Sequence, residues 1–210
     1  MKFGLLSFAA LAVAICQAAP ASNAKHTYNC TAYSTHDLKW HSLDNDDFGY
    51  LSISNLKDDQ GRPILTTLEK DGSPAKPVKF VRTICDPPEG TKGYMGIGKG
   101  SKSNGVSFGH IALESDQSKC VTATGLEKKG INFVLDKCHK QNSAVQLKQF
   151  FGEAVNGITL NFMGHKYGSQ DKNYELHIGK GKGNPIEADF VGSKQSNSSV
   201  FFYWLKFPNQ

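Results

Sequence analysis

Trp40 stands among polar residues in the stretch His36-Asp37-Leu38-Lys39-Trp40-His41-Ser42-Leu43-Asp44-Asn45-Asp46-Asp47. A wet tryptophan offers a broad apolar face and one N–H donor, the equipment for stacking on a sugar ring. The competing reading is a half-buried strand residue. Other reactive residue types form no constellation. The seven histidines include no His-Glu-x-x-His pattern and no Cys/His cluster, so no metal site is expected. Gly93 to Gly100 approaches the phosphate-binding pattern G-x-x-x-x-G-K-[ST], but Gly100 stands where a hydroxyl must bind magnesium, and the stretch reads as a turn. Asn45 to Asp47 and Lys57 to Gly61 lack the alternating acidic ligands and closing Glu of a calcium loop. No G-x-S-x-G marks a nucleophile. The expectation is a protein without catalytic residues or a cofactor.

The elements that would hold Trp40 begin after an address segment. Residues 1–18 carry one Lys, an apolar run and small residues, the form of a secretory signal peptide. The apolar run is too short to span a membrane, and no later segment approaches the ~20 apolar residues a span needs. Cleavage after Ala18 would leave a soluble, secreted chain with a short extension, residues 19–27, before one domain over 28–210. Losing Lys2 takes the formal charge from +5 to +4. The basic residues are dispersed and arginine occurs only at 62 and 82, which argues against nucleic acid. Four cysteines remain, Cys30, Cys85, Cys120 and Cys138, an even number that reads as two disulfides in an oxidising compartment. Four cysteines allow three connectivities. Glycosylation sequons occur at Asn29 and Asn197, the second in the more polar setting.

Short β-type runs separated by turn residues dominate the chain, among them PVKFVRTI, GVSFGHIAL, INFVLD, YELHIG and FFYWLKF. Three landmarks recur at spacings of 52 to 57: Phe80-Val81, Phe133-Val134 and Phe190-Val191; the run from Gly49, Gly105 and Gly157; and the runs from Leu65, Cys120 and Tyr174. A threefold repeat of about 54 residues, each unit with some four short strands, predicts an all-β fold of the β-trefoil type. The expected units are 28–85, 86–138 and 139–207. The alternative is one irregular β-sandwich.

The stretch Cys120 to Phe151 resembles one subdomain of the ricin-type β-trefoil lectins: Cys, a Gly and an apolar strand, a second Cys, then Gln149-Phe150-Phe151 for the family's Gln-x-Trp. The chain also looks like small secreted fungal proteins of that build. Trp204 would be the third unit's counterpart, with Phe202 in place of Gln. The resemblance implies a Cys120–Cys138 disulfide within one unit, with Cys30 then joined to Cys85. It also implies a sugar site, but Thr122 replaces the family's Asp, Val134 its Gln, Asp136 its stacking aromatic and Lys148 its Asn. Gln149 alone matches. Trp40, Asp136 and Gln149 are therefore the candidate carbohydrate contacts.

The expected function is a secreted, monomeric, non-enzymatic protein that binds a glycan at a cell-wall or host surface. The alternative is a protein-binding β-trefoil, such as a protease inhibitor or effector, acting on an extracellular protein through loops 57–61, 98–104 or 179–184.

Overall fold

Alternation of apolar and polar side chains drives the strands. In Ile131-Asn132-Phe133-Val134-Leu135, the first, third and fifth residues enter the core; on the other face Asn132 is half-buried and Val134 is buried. The structure, a computed structural model, describes residues 27–86, 107–141, 143–153, 159–164, 173–194 and 197–203. The expected signal peptide, the Gly93–Gly100 turn, loop 98–104 and Trp204 lie outside these residues.

The elements are β1 (Asn29–Asp37), β2 (Lys39–Ser42), β3 (Phe48–Tyr50), β4 (Ser52–Lys57), β5 (Pro63–Thr66) and β6 (Lys79–Asp86). Next come β7 (Ser107–Gly109), β8 (Ile111–Leu113), β9 (Asp116–Ala123), β10 (Ile131–Lys137) and the single turn of helix α1 (Ala144–Leu147). The chain continues with β11 (Phe151–Glu153), β12 (Thr159–Phe162), β13 (Asn173–Ile178), β14 (Ile186–Gly192) and β15 (Val200–Tyr203). The fold is all-β, with nine strands in one antiparallel sheet and six in another.

Only Leu38 separates β1 from β2, and only His110 separates β7 from β8. Counting each pair as one rung, the ladders run from β1 to β6, β6 to β8, β7 to β11, β11 to β12, β12 to β15, and β15 back to β2. Three hairpins, β4–β5, β9–β10 and β13–β14, add to this ring, and β9 pairs directly with its strand β8 at Ala112 opposite Cys120 and Leu113 opposite Asp116. The hairpins touch one another at Val134 opposite Ile64, Ile131 opposite Ala188, and Thr66 opposite Pro185. Each hairpin turn docks on the next hairpin or the segment beside it. Arg62 reaches Asp136, the Gly130 N–H donates to Asp189, and the Asn184 carbonyl accepts from the Thr67 N–H.

Phe133 lies at the centre of the core. Its ring meets Phe151 at 6.0 Å, Phe162 at 5.3 Å and Phe202 at 5.4 Å, so β10, β11, β12 and β15 converge on one aromatic cluster. Arg82 is fully buried and donates to the carbonyls of Thr83, His110 and Phe151, which links the ring's rungs from inside. Gly109 is required beside it, because a Cβ there would lie 1.9 Å from the Thr83 carbonyl oxygen.

The two bridges are Cys30–Cys85, across opposed residues of β1 and β6, and Cys120–Cys138, across the β9–β10 hairpin. The repeat landmarks fare unevenly. Tyr174 on β13 and Cys120 on β9 both belong to first strands of outer hairpins, and Phe133 and Phe190 both belong to second strands. Phe80 does not match them: it lies on β6, a rung of the ring paired with β1 and β8. Likewise Leu65 sits on β5, a second strand, where Cys120 and Tyr174 sit on first strands; Gly49 is on β3, and its counterparts Gly105 and Gly157 lie outside the described residues. The expected unit boundary at 138 falls between β10 and β11, and β11 pairs alike with β7 before it and β12 after it.

Candidate functional site

Trp40 lies on β2 opposite Gly49 of β3 and Phe202 of β15. One part of the indole packs on the core, and the ring also lines an open cleft of about 750 Å³. Gly49 makes the close packing possible, since a Cβ there would be 2.9 Å from the indole nitrogen. That nitrogen is buried without a hydrogen-bond partner. Trp40 is thus the half-buried strand residue of the second reading, and it borders a cleft.

Phe48 and Tyr50, alternate residues of β3, also line the cleft, on the face of the β2–β3 ladder opposite to Trp40 and Gly49, and Phe48 is 55% exposed. Lys39 also lines it, its ammonium 5.3 Å from the Tyr50 ring centroid and 5.8 Å from that of Tyr203. The polar side is supplied by Asn45, Asp47, Thr67 and Asn184.

The turn from Leu43 to Asp47 positions the first two. The Ser42 N–H donates to the Asp47 carbonyl at 2.7 Å, and the Asn45 side-chain amide donates to the Asp47 carboxylate. Asp46 takes a left-handed backbone (φ 57°) and its carboxylate meets His41 Nε2 at 2.7 Å. The far wall comes from Ile178 and Asn184, which flank the β13–β14 turn docked on Thr67. Aromatic faces beside a carboxylate and amides can hold a polyhydroxylated ring by stacking and hydrogen bonding. Among the described lining residues Asp47 is the one carboxylate.

Comparison with family models, curated proteins and solved structures finds no match for this chain.

The other carbohydrate candidates do not join Trp40. Gln149 is completely buried. Its amide donates to Thr122 Oγ1 at 2.8 Å and to the Lys137 carbonyl at 2.7 Å, and its oxygen accepts from the His139 N–H at 2.8 Å. Gln149 is therefore corrected from a ligand contact to a support for the β9–β10 hairpin and the Cys120–Cys138 bridge. Asp136 is partly exposed but engaged: Arg62 Nη1 donates to it at 2.8 Å, and the Lys137 N–H at 2.7 Å. Burial pushes its carboxyl up, yet the bonds from Arg62 and Lys137 outweigh this and hold it below the ordinary range.

Phe48, Tyr50 and Asp47 are not assigned to a site from sequence, and Asn184 enters there only as the last residue of loop 179–184, read as a protein contact. The available signal was Gly49 between two aromatics, close after Trp40. Cys30, Cys85 and His110 also cluster, but both sulfurs belong to the bridge. Both sequon asparagines are exposed.

Proposed function

We propose that this chain is a secreted, non-enzymatic β-trefoil protein that binds carbohydrate through the Trp40 cleft. The ring of six rungs and the three mutually touching hairpins support the trefoil reading. The observation that carries the function is that Trp40, Phe48 and Tyr50 all line one open cleft with Asp47 and Asn45. The site differs from the one that the resemblance to ricin-type lectins implied, which centred on Cys120 to Gln149.

The test is a broad glycan array probed with the mature chain. Binding is expected, with at least a tenfold loss in Trp40→Ala and Phe48→Ala and little change in Asp136→Asn. Silence across the array would sink the carbohydrate reading. A second reading, recognition of an extracellular protein, draws on Leu43 and Phe48, exposed by 60% and 55% at the two ends of one turn. Under that reading, Leu43→Ser and Phe48→Ser together abolish capture of a protein ligand, and soluble glycans do not compete.

A further inference from the structure

The segment between β14 and β15 contains Asn197-Ser198-Ser199, and a second cleft of about 640 Å³ opens beside it. Leu43, Phe162, Tyr174, Leu176, Phe201 and Asn197 itself contribute to its lining. The residue after the acceptor tripeptide's centre is well anchored. The Ser199 N–H donates to the Leu176 carbonyl at 3.0 Å, and the Ser199 carbonyl accepts from the Leu43 N–H at 2.8 Å. The Asn197 N–H donates to Glu175 Oε1 at 3.2 Å, while the residue stays exposed outside any strand.

Asn29 has opposite surroundings. It begins β1 opposite Asp86, Thr31 of its tripeptide lies opposite Ile84, and the central Cys30 is bonded to Cys85. The entire tripeptide is committed to a ladder and a bridge.

We propose that Asn197 carries an N-linked oligosaccharide, that Asn29 does not, and that the first sugars lie in the adjoining cleft. In the transfer, Asn197 Nδ2 forms a bond to the anomeric carbon of N-acetylglucosamine. The bond from that carbon to a polyprenyl diphosphate donor breaks, the diphosphate leaves with the electron pair, and the amide gives up one proton. A linked sugar pays little further entropy to occupy the cleft, since attachment holds it at high local concentration. Phe201 and Leu43 then pack against the pyranose and acetyl carbons, which covers apolar surface that is otherwise wet. The proposal rests on the export reading and is separable from the Trp40 cleft, whose lining includes neither Leu43 nor Asn197.

The full chain is expressed in a eukaryotic host behind its own leader and, in parallel, behind an established heterologous leader. Peptide N-glycosidase treatment in heavy-oxygen water marks each occupied Asn by mass. One mark at Asn197 is expected, lost in Asn197→Gln and in Ser199→Ala and unchanged in Asn29→Gln. An unmarked Asn197 behind the heterologous leader, or a marked Asn29, overturns the assignment. Failure of the native leader alone overturns export and leaves Asn197 standing. For the cleft, glycoprotein trimmed to one N-acetylglucosamine is compared with Asn197→Gln by hydrogen exchange. Slower exchange across residues 173–176 and 197–203 is expected, and equal exchange overturns the placement of the sugar.

Discussion

Two buried polar side chains show how single residues set the behaviour of this molecule. Gln149 satisfies a hydroxyl, a carbonyl and a backbone N–H at once. Removing it strands those groups in a dry place, so Gln149→Ala should cost about 2–4 kcal/mol in urea unfolding. His110 is the second case. Its ring is buried edge-on to Phe150, and its Nε2 has no hydrogen-bond partner. Burial first, and the positive charge of Arg82 next, push its pKa down from 6.5 to about 3. The unfolded chain therefore takes up a proton that the folded chain refuses. Its contribution is fully present above about pH 6.5 and is lost as pH falls from there toward 3. The urea midpoint of the wild type should drop more between pH 7.5 and 4.5 than that of His110→Leu. Parallel declines in the two proteins would show that His110 is not the group responsible.

At the scale of elements, the turns carry as much information as the strands. Arg62 grips Asp58 of its own turn at 2.6 Å and Asp136 of β10 at 2.8 Å, with all three side chains less than a third exposed. Arg62→Ala should cost about 1–3 kcal/mol, and a double-mutant cycle with Asp136→Asn should show coupling. Additive effects would mean that the clamp is ornamental. The strands themselves were readable from sequence, because alternation and turn residues are local signals. Their roles were less so. Phe80-Val81 and Phe133-Val134 look alike because both report burial, yet one serves a rung of the ring and the other an outer hairpin. The pairing partner that distinguishes them is set by contacts far away in the chain. The cleft was half legible for the same reason. Trp40 announced itself by its polar surroundings, whereas Asn184 enters only because the β13–β14 turn docks on Thr67, 117 residues away. Gln149 was legible as a motif residue, but its burial depends on α1 bringing it under the β9–β10 hairpin.

For the whole molecule, the two bridges make unequal demands on the unfolded chain. Cys120–Cys138 closes a span of 18 residues inside one hairpin, while Cys30–Cys85 closes a span of 55 and ties the first rung of the ring to the second. Loop-closure entropy assigns them about 3 and about 4 kcal/mol respectively. Their native surroundings widen the difference. Cys85 and its partner pack with Tyr28, Phe108 and Phe150 in a small core apart from the main one, so that cluster loses a covalent tie as well. The hairpin keeps five opposed residue pairs and the Gln149 support even without its sulfur bridge. Replacing each pair by alanines should therefore destabilise more at Cys30/Cys85, read as unfolding free energy extrapolated from urea. Hydrogen exchange should then speed up over 29–37 in that variant and stay slow over 131–137. A larger loss from the Cys120/Cys138 variant would place the weak point in the hairpin, and the ring of rungs would not be the limiting element of stability.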